Sequence, residues 1–380
     1  MSKTKWIIPL LLSILLSATA TADENTVHTA ADESGRVLFS IAGSIAEGDE
    51  YIASDNTLYR IIRTDGAHAV AQKIGEEPMP DVSWLETGEA QPVFAMRAVP
   101  AAKSSGSADK QKLIAMYVTH SDESYVPSDG TQSIEGQGGI YDVARAFCSA
   151  LQQKGIDVIL DESTHLPHDS GAYRRSRRTA ERLLQKRPDA IIDIHRDGIP
   201  NPNEYTTTIQ GEKASQVRLL VGRGNQNSEV NRAFARQIKA VADKKYPGLI
   251  KDIFIGKGNY NQDLSPNAIL LEFGTHTISK ERVLNSTDVM ADVISTSLYG
   301  AQTGSAKGAA ATTGKHNPDT KAKDKGSFSG IAMLAGIAIV GVLLFALAQT
   351  GGGKAMGTKL SRNLREMTGG LLGKKKDSST

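Results

Sequence analysis

Two histidines and two glutamates carry the chemistry open to this sequence. His120 follows a short apolar run over residues 113–118, and Glu123 stands three positions after it. His195 closes the run Ala190-Ile-Ile-Asp-Ile-His195, and Glu272 interrupts the apolar run over residues 268–273. Each run is short enough for a buried strand and stops near a polar residue. A catalytic zinc site needs three nitrogen or oxygen ligands, an open fourth position and a nearby base. His120, Glu123 and His195 are the expected Zn2+ ligands, and Glu272 is the expected base. An acid in an apolar strand is costly to bury unless it is paired or its pKa is raised. Beside zinc it would take a proton from the attacking water and hand it to the leaving amine. Bridging to a core Arg or Lys is the competing reading.

Neighbouring residues fit the same picture. Asp193 and His195 point to one face of a strand, since the side-chain period is two. Asp193 would then receive the second ring N–H of His195, as metal-bound histidines require; an ion pair between Asp193 and Arg196 is the alternative. The stretch over residues 165–178 is dense in donors, and Tyr173 and Arg175 would hold a carboxylate of an acidic peptide unless the stretch is a solvated helix face. His276 either contacts substrate or lies at the surface. The glycines Gly222 and Gly224 lack a full G-x-G-x-x-G pattern and read as a loop.

These residues need a scaffold that brings separated strand ends together. Residues 112–300 alternate strands and helices, which predicts an α/β domain of three layers, a mostly parallel sheet flanked by helices. In such sheets ligands bind beyond the carboxyl ends of the strands. Residues 23–98 alternate polar and apolar residues between Gly and Asp turns and predict a small β-rich domain, a spacer or docking unit by default. Residues 99–111 read as a linker and 301–329 as a flexible tether. A chain of 380 residues is long enough for several domains. Its formal net charge of +2 gives no sign of nucleic-acid binding. The single Cys148 excludes an internal disulfide and reads as a small buried hydrophobe.

Both ends carry membrane signals. Residues 1–22 have Lys3 and Lys5, an apolar stretch and then small residues, the pattern of a secretory signal peptide. Residues 330–349 are apolar over the length of a transmembrane helix, and the tail over 350–380 is rich in Lys and Arg. Positive charge marks the cytoplasmic side, so the sequence predicts a single-pass membrane protein with its catalytic domain outside and a basic cytoplasmic tail.

Five separated blocks occur in an order that resembles the stage II sporulation protein P family. They are Thr119-His120-Ser-Asp-Glu123-Ser-Tyr125, Gly138-Gly-Ile-Tyr141, His168-Asp-Ser-Gly-Ala-Tyr173-Arg-Arg-Ser-Arg177, Asp193-Ile-His195-Arg196-Asp197 and Leu271-Glu272-Phe273-Gly274. The resemblance covers roughly residues 112–300 and implies an amidase fold related to the zinc N-acetylmuramoyl-L-alanine amidases. It implies peptidoglycan as the substrate, cleavage of the amide joining N-acetylmuramic acid to L-alanine, and other cell-wall hydrolases as companions. Endopeptidase cleavage of peptide cross-links is also linked to the family, and a catalytically silent wall-binding protein is the reading from another class. Carried over, the blocks make His120, Glu123 and His195 zinc ligands and Glu272 the catalytic acid, with Glu135 a rival to Glu123. Val118 stands where members often have a second histidine, and the C-terminal span departs from the family's usual N-terminal anchor.

Overall fold

Apolar runs form the strands, and amphipathic stretches between them form the helices. The computed structural model describes residues 26–87, 111–169 and 171–300. Strands β1 (Val27–Asp32), β2 (Val37–Ala42), β3 (Glu50–Ile52), β4 (Thr57–Asp65) and β5 (His68–Glu76) come first, followed by a one-turn helix α1 (Trp84–Thr87). Then come β6 (Leu113–Tyr117), α2 (Val126–Asp129), α3 (Ile140–Gln153), β7 (Asp157–Asp161), α4 (Ala172–Leu184) and β8 (Ala190–Asp197). A hairpin of β9 (Thr206–Ile209) and β10 (Glu212–Ser215) precedes β11 (Val217–Gly222), α5 (Ser228–Lys245), β12 (Ile250–Gly256), β13 (Ala268–Thr275) and α6 (Lys280–Tyr299).

Eleven strands form one sheet, in the order β2-β1-β5-β4-β3-β12-β11-β13-β8-β6-β7. Strands β13, β8, β6 and β7 are parallel neighbours, so β6, β8 and β13 end at one edge. The sheet is mixed rather than mostly parallel: β11 runs antiparallel to β13, and β12 follows β11. The N-terminal strands also differ from expectation, since they continue this sheet instead of forming a unit of their own. β3 pairs with β12 through Ile52↔Ile253 and Tyr51↔Phe254, covering an edge that would otherwise present unpaired N–H and C=O groups. Ion pairs fasten the join: Arg232 reaches Glu50 and Glu77 at 2.6 Å each, and Arg223 reaches Asp49 at 2.8 Å.

Strand β6 is buried on both faces, and its period-two alternation assigns each side chain to a layer. Ile114 and Met116 join Phe147 of α3, Phe234 of α5 and Met290 of α6, whereas Ala115 and Tyr117 pack with Ala180 and Leu183 of α4. Helices therefore cover this part of the sheet on both sides. Phe39 and Tyr51 stack with ring centroids 4.3 Å apart and pack with Leu220, Phe254 and Leu270, burying the N-terminal strands against β11–β13.

Among the described residues no helix is long and apolar enough to cross a membrane. The signal peptide, tether, transmembrane helix, basic tail and most of the linker expected from the sequence lie outside the described residues.

Candidate metal centre

The site forms where a loop closes over two adjacent strands. β6 ends at Tyr117, and the chain turns so that His120 lies in the following loop. Asp193 on β8 anchors that turn, accepting from Thr119 N at 2.9 Å and from Thr119 Oγ1 at 2.6 Å. Gly138 packs flat on the backbone of Asp122 and Glu123, where a Cβ would overlap the Glu123 carbonyl. On the strands, Glu272 is the register partner of His195, which places the two side chains side by side.

His120 Nδ1 lies 3.2 Å and His195 Nδ1 3.4 Å from the same oxygen, Glu123 Oε1. One donor atom from each of the three residues lies within 4.8 Å of the other two, and all three residues are buried. Tetrahedral zinc bonds of about 2.0–2.1 Å set neighbouring donors about 3.3 Å apart, so these two spacings fit the ion. The other Glu123 oxygen accepts from Arg196 N at 2.8 Å. Asp193 Oδ1 sits 3.1 Å from His195 Nε2, an ionic contact without hydrogen-bond alignment that leaves Nδ1 facing the cluster. Burial alone would raise the Glu123 pKa, but the His195 charge and hydrogen bonds from both imidazoles hold it well below the usual range. Burial opposes charging His195, yet Asp193 and Glu123 outweigh it and hold the imidazole pKa well above normal.

A cavity of about 120 Å³ opens on this cluster. Glu272 lines it together with Tyr173, whose ring stacks 6.1 Å from that of His195, and His168, whose ring stacks 4.1 Å from that of His120. His168 Nδ1 is held 2.9 Å from Asp122 Oδ1. Residues Ile41, Ala42, Gly43 and Ser44 form another wall, so the N-terminal strands do more than space the domain. Glu272 accepts from the Tyr205 hydroxyl at 3.0 Å, and Arg218 Nη1 lies 3.6 Å away. Burial and the Asp197 charge raise its pKa to about 8, against the pull of Arg218. The two sequence readings of Glu272 thus meet in one residue, facing the cluster and neighbouring a core arginine.

Arg218 is fully buried. It donates from Nε and Nη2 to Asp252 at 2.7 and 3.0 Å, from Nη1 to Asp197 at 3.0 Å, and from Nη2 to the Ser40 carbonyl at 3.0 Å. Arg218→Met would leave Asp252 and Asp197 buried without their cation, and a loss of about 3–5 kcal/mol is expected in chemical denaturation. A loss below about 1 kcal/mol would show that these acids find other partners.

The other expected residues take other roles. Arg175 donates to the His165 carbonyl at 2.7 Å and to Asp169 at 2.6 Å, so it pins its own loop rather than holding a substrate carboxylate. Arg196 borders the cavity, but its guanidinium donates to the carbonyls of Ser124 at 3.0 Å and Gln132 at 2.7 Å instead of pairing with Asp193. His276 is not among the lining residues; its carbonyl accepts from Val126 N at 2.7 Å. Glu135 is exposed, whereas Glu123 is buried in the cluster. Sequence reasoning missed Tyr205, Arg218 and Asp197. Asp197 shares the period-two row of Asp193 and His195, and Arg218 is a lone charge in an apolar strand, so both carried a signal. Tyr205, on a connection, carried none.

Fold and site together define an α/β protein whose buried His–Glu–His cluster has the donor set of a transition-metal site, with Glu272 lining the same cavity. The chain belongs to the stage II sporulation protein P family, whose sequence profile matches residues 50–295. A stage II sporulation protein P of Bacillus subtilis (strain 168) is 30% identical over 211 residues, covering 50% of this chain and 52% of that protein. The chain thus spans about half the length of this curated relative. Among solved structures, an N-acetylmuramoyl-L-alanine amidase from Clostridium difficile 630 aligns at 14% identity with a TM-score of 0.33, over 50% of this chain and 96% of its own. An N-acetylmuramyl-L-alanine amidase from Mycobacterium smegmatis aligns at 17% identity with a TM-score of 0.34, over 50% and 99%.

Proposed function

We propose that this chain is a zinc-dependent peptidoglycan hydrolase that cuts the amide between N-acetylmuramic acid and L-alanine. The observation carrying this reading is the convergence of two imidazole nitrogens on one Glu123 oxygen, with Glu272 lining the same cavity. The bond itself is the one the family resemblance implies. Bound zinc would polarise the amide carbonyl and lower the pKa of a water. The chain's residues supply the rest. Asp193 orients His195, Tyr173 and His168 wall the cleft, and Glu272 moves a proton from the water to the leaving nitrogen. A cation in the cluster would favour the ionised form of Glu272 and draw its pKa down from about 8. The membrane tether and outward placement belong to the same proposal and rest on the pattern of residues 330–380 alone.

Dye release from labelled sacculi by the purified full chain tests the reading. Chelation is expected to lower the rate at least about 100-fold and added Zn2+ to restore it. Mass spectrometry should find intact stem peptides freed from the glycan. Fragments cut only at cross-links would make the enzyme an endopeptidase, and sacculus binding without turnover would make it a wall-binding protein. Turnover untouched by chelation would end the zinc proposal.

A further inference from the structure

Tyr205 is completely buried and lies outside the residues lining the cavity, yet its hydroxyl stands between two acids. It is 3.0 Å from Glu272 Oε2 and 2.9 Å from Asp197 Oδ2. A phenol has one hydrogen and an oxygen that can accept, so it cannot donate fully to both carboxylates at once. Asp197 is committed as an acceptor: Arg218 Nη1 donates to the same Oδ2 at 3.0 Å, and Ala42 N and Gly198 N donate to Oδ1 at 2.9 and 2.7 Å. The ring is fixed by the Arg218 guanidinium 5.9 Å and the Lys251 ammonium 4.6 Å from its centroid. Its backbone is tied at both ends, N–H to the Pro202 carbonyl at 3.0 Å and carbonyl from Gln216 N at 2.7 Å. What stays mobile is the rotation of the hydroxyl.

We infer that Tyr205 is a positioning residue for the reaction: its hydroxyl turns between Glu272 and Asp197, so the Glu272 charge meets a hydrogen bond while it is present and the phenol hydrogen keeps an acceptor once that charge is gone. This rests on the role proposed above for Glu272. While Glu272 is ionised, the phenol donates to it. When an O–H bond of the attacking water breaks and the proton moves to the cavity side of Glu272, Oε2 becomes the carbonyl oxygen of a neutral acid and the phenol hydrogen turns to the charged Asp197. When that proton passes to the leaving nitrogen, the hydroxyl turns back. Tyr205 neither gains nor loses a proton over the cycle, and burial keeps the phenol neutral by raising its pKa far above normal. A buried carboxylate without this donor in the first state, or a buried phenol without an acceptor in the second, would pay a desolvation cost.

The test compares Tyr205→Phe and Glu272→Gln with the parent full chain on labelled peptidoglycan. Tyr205→Phe keeps the ring and is expected to lower kcat about 10- to 100-fold, with KM within about twofold and zinc stoichiometry unchanged. A 3-fluorotyrosine at position 205, which retains the hydroxyl and the packing, is expected to restore kcat to within about threefold of the parent. A Tyr205→Phe enzyme at parental kcat, or a fluorotyrosine enzyme as slow as the Phe variant, overturns the inference. Parental turnover by Glu272→Gln would instead overturn the proposed function and leave no base for Tyr205 to position.

Discussion

Replacing Glu272 by Gln is expected to lower kcat by about 10³-fold, within the range that a general acid–base group contributes. The amide has the size of the acid and still meets the Tyr205 hydroxyl and the Arg218 guanidinium, but it cannot accept the proton that the reaction must move. The His120–Glu123–His195 cluster does not include residue 272, so zinc stoichiometry should hold at the parental value. A variant within tenfold of the parent would remove Glu272 from the chemistry. The same substitution has a second, independent reading in the metal-free protein. Burial and Asp197 hold the folded-state pKa of Glu272 at about 8, above the ordinary 4.5. The folded state therefore keeps a proton that the unfolded chain releases, and its contribution is complete below about pH 4.5 and lost as pH rises through about 8. Gln does not titrate. The melting temperature of Glu272→Gln should thus gain on the parent with rising pH across that window, by about 5 °C or more, and level off above it. A difference that stays flat would mean that the folded protein does not hold this proton.

The residues of the buried cluster, and the acid that lines its cavity, were readable because each breaks a local pattern. His195 and Glu272 are polar positions inside apolar strands, and Glu123 follows His120 at a spacing one loop can fold onto itself. The placement of these residues at neighbouring strand ends also followed from the alternation of strands and helices over residues 112–300. Three features were less legible, for different physical reasons. Strand direction is set by the length and course of connections, so nothing in residues 217–222 marks β11 as running against β13. Pairing between β3 and β12 joins residues about two hundred positions apart, and backbone hydrogen bonds leave no trace in side-chain type. The orientation of an arginine depends on which acceptors surround it. Arg175 and Arg196 found backbone carbonyls, and Arg218 found two acids on other strands. Paired across the sheet in register, Arg218 and Glu272 are two charges that only the fold makes neighbours.

His195→Ala should abolish metal binding at working concentrations, and a ranking of variants makes the expectation specific. Removing even an outer partner of a metal-bound histidine weakens the metal by about 10- to 100-fold. Asp193→Asn is that lesser change: its one amide oxygen can still accept from Thr119 N, while the charge 3.1 Å from His195 Nε2 and the acceptor of the Thr119 hydroxyl are lost. His195→Ala deletes the inward nitrogen itself and leaves His120 and Glu123 as the remaining pair, so its loss must exceed that of Asp193→Asn and should pass about 10³-fold. Competition with a chromophoric chelator measures both, on protein whose folding is checked by circular dichroism. Glu135→Ala belongs in the series because Glu135 is exposed and outside the cluster, and its affinity should match the parent's. The order parent equal to Glu135→Ala, then Asp193→Asn, then His195→Ala follows from the geometry alone. Parental zinc affinity in His195→Ala would mean that the ion, if bound, sits elsewhere. A large loss in Glu135→Ala would move the acidic ligand out of the buried cluster, and Glu123 would then need another reason to lie between two imidazoles.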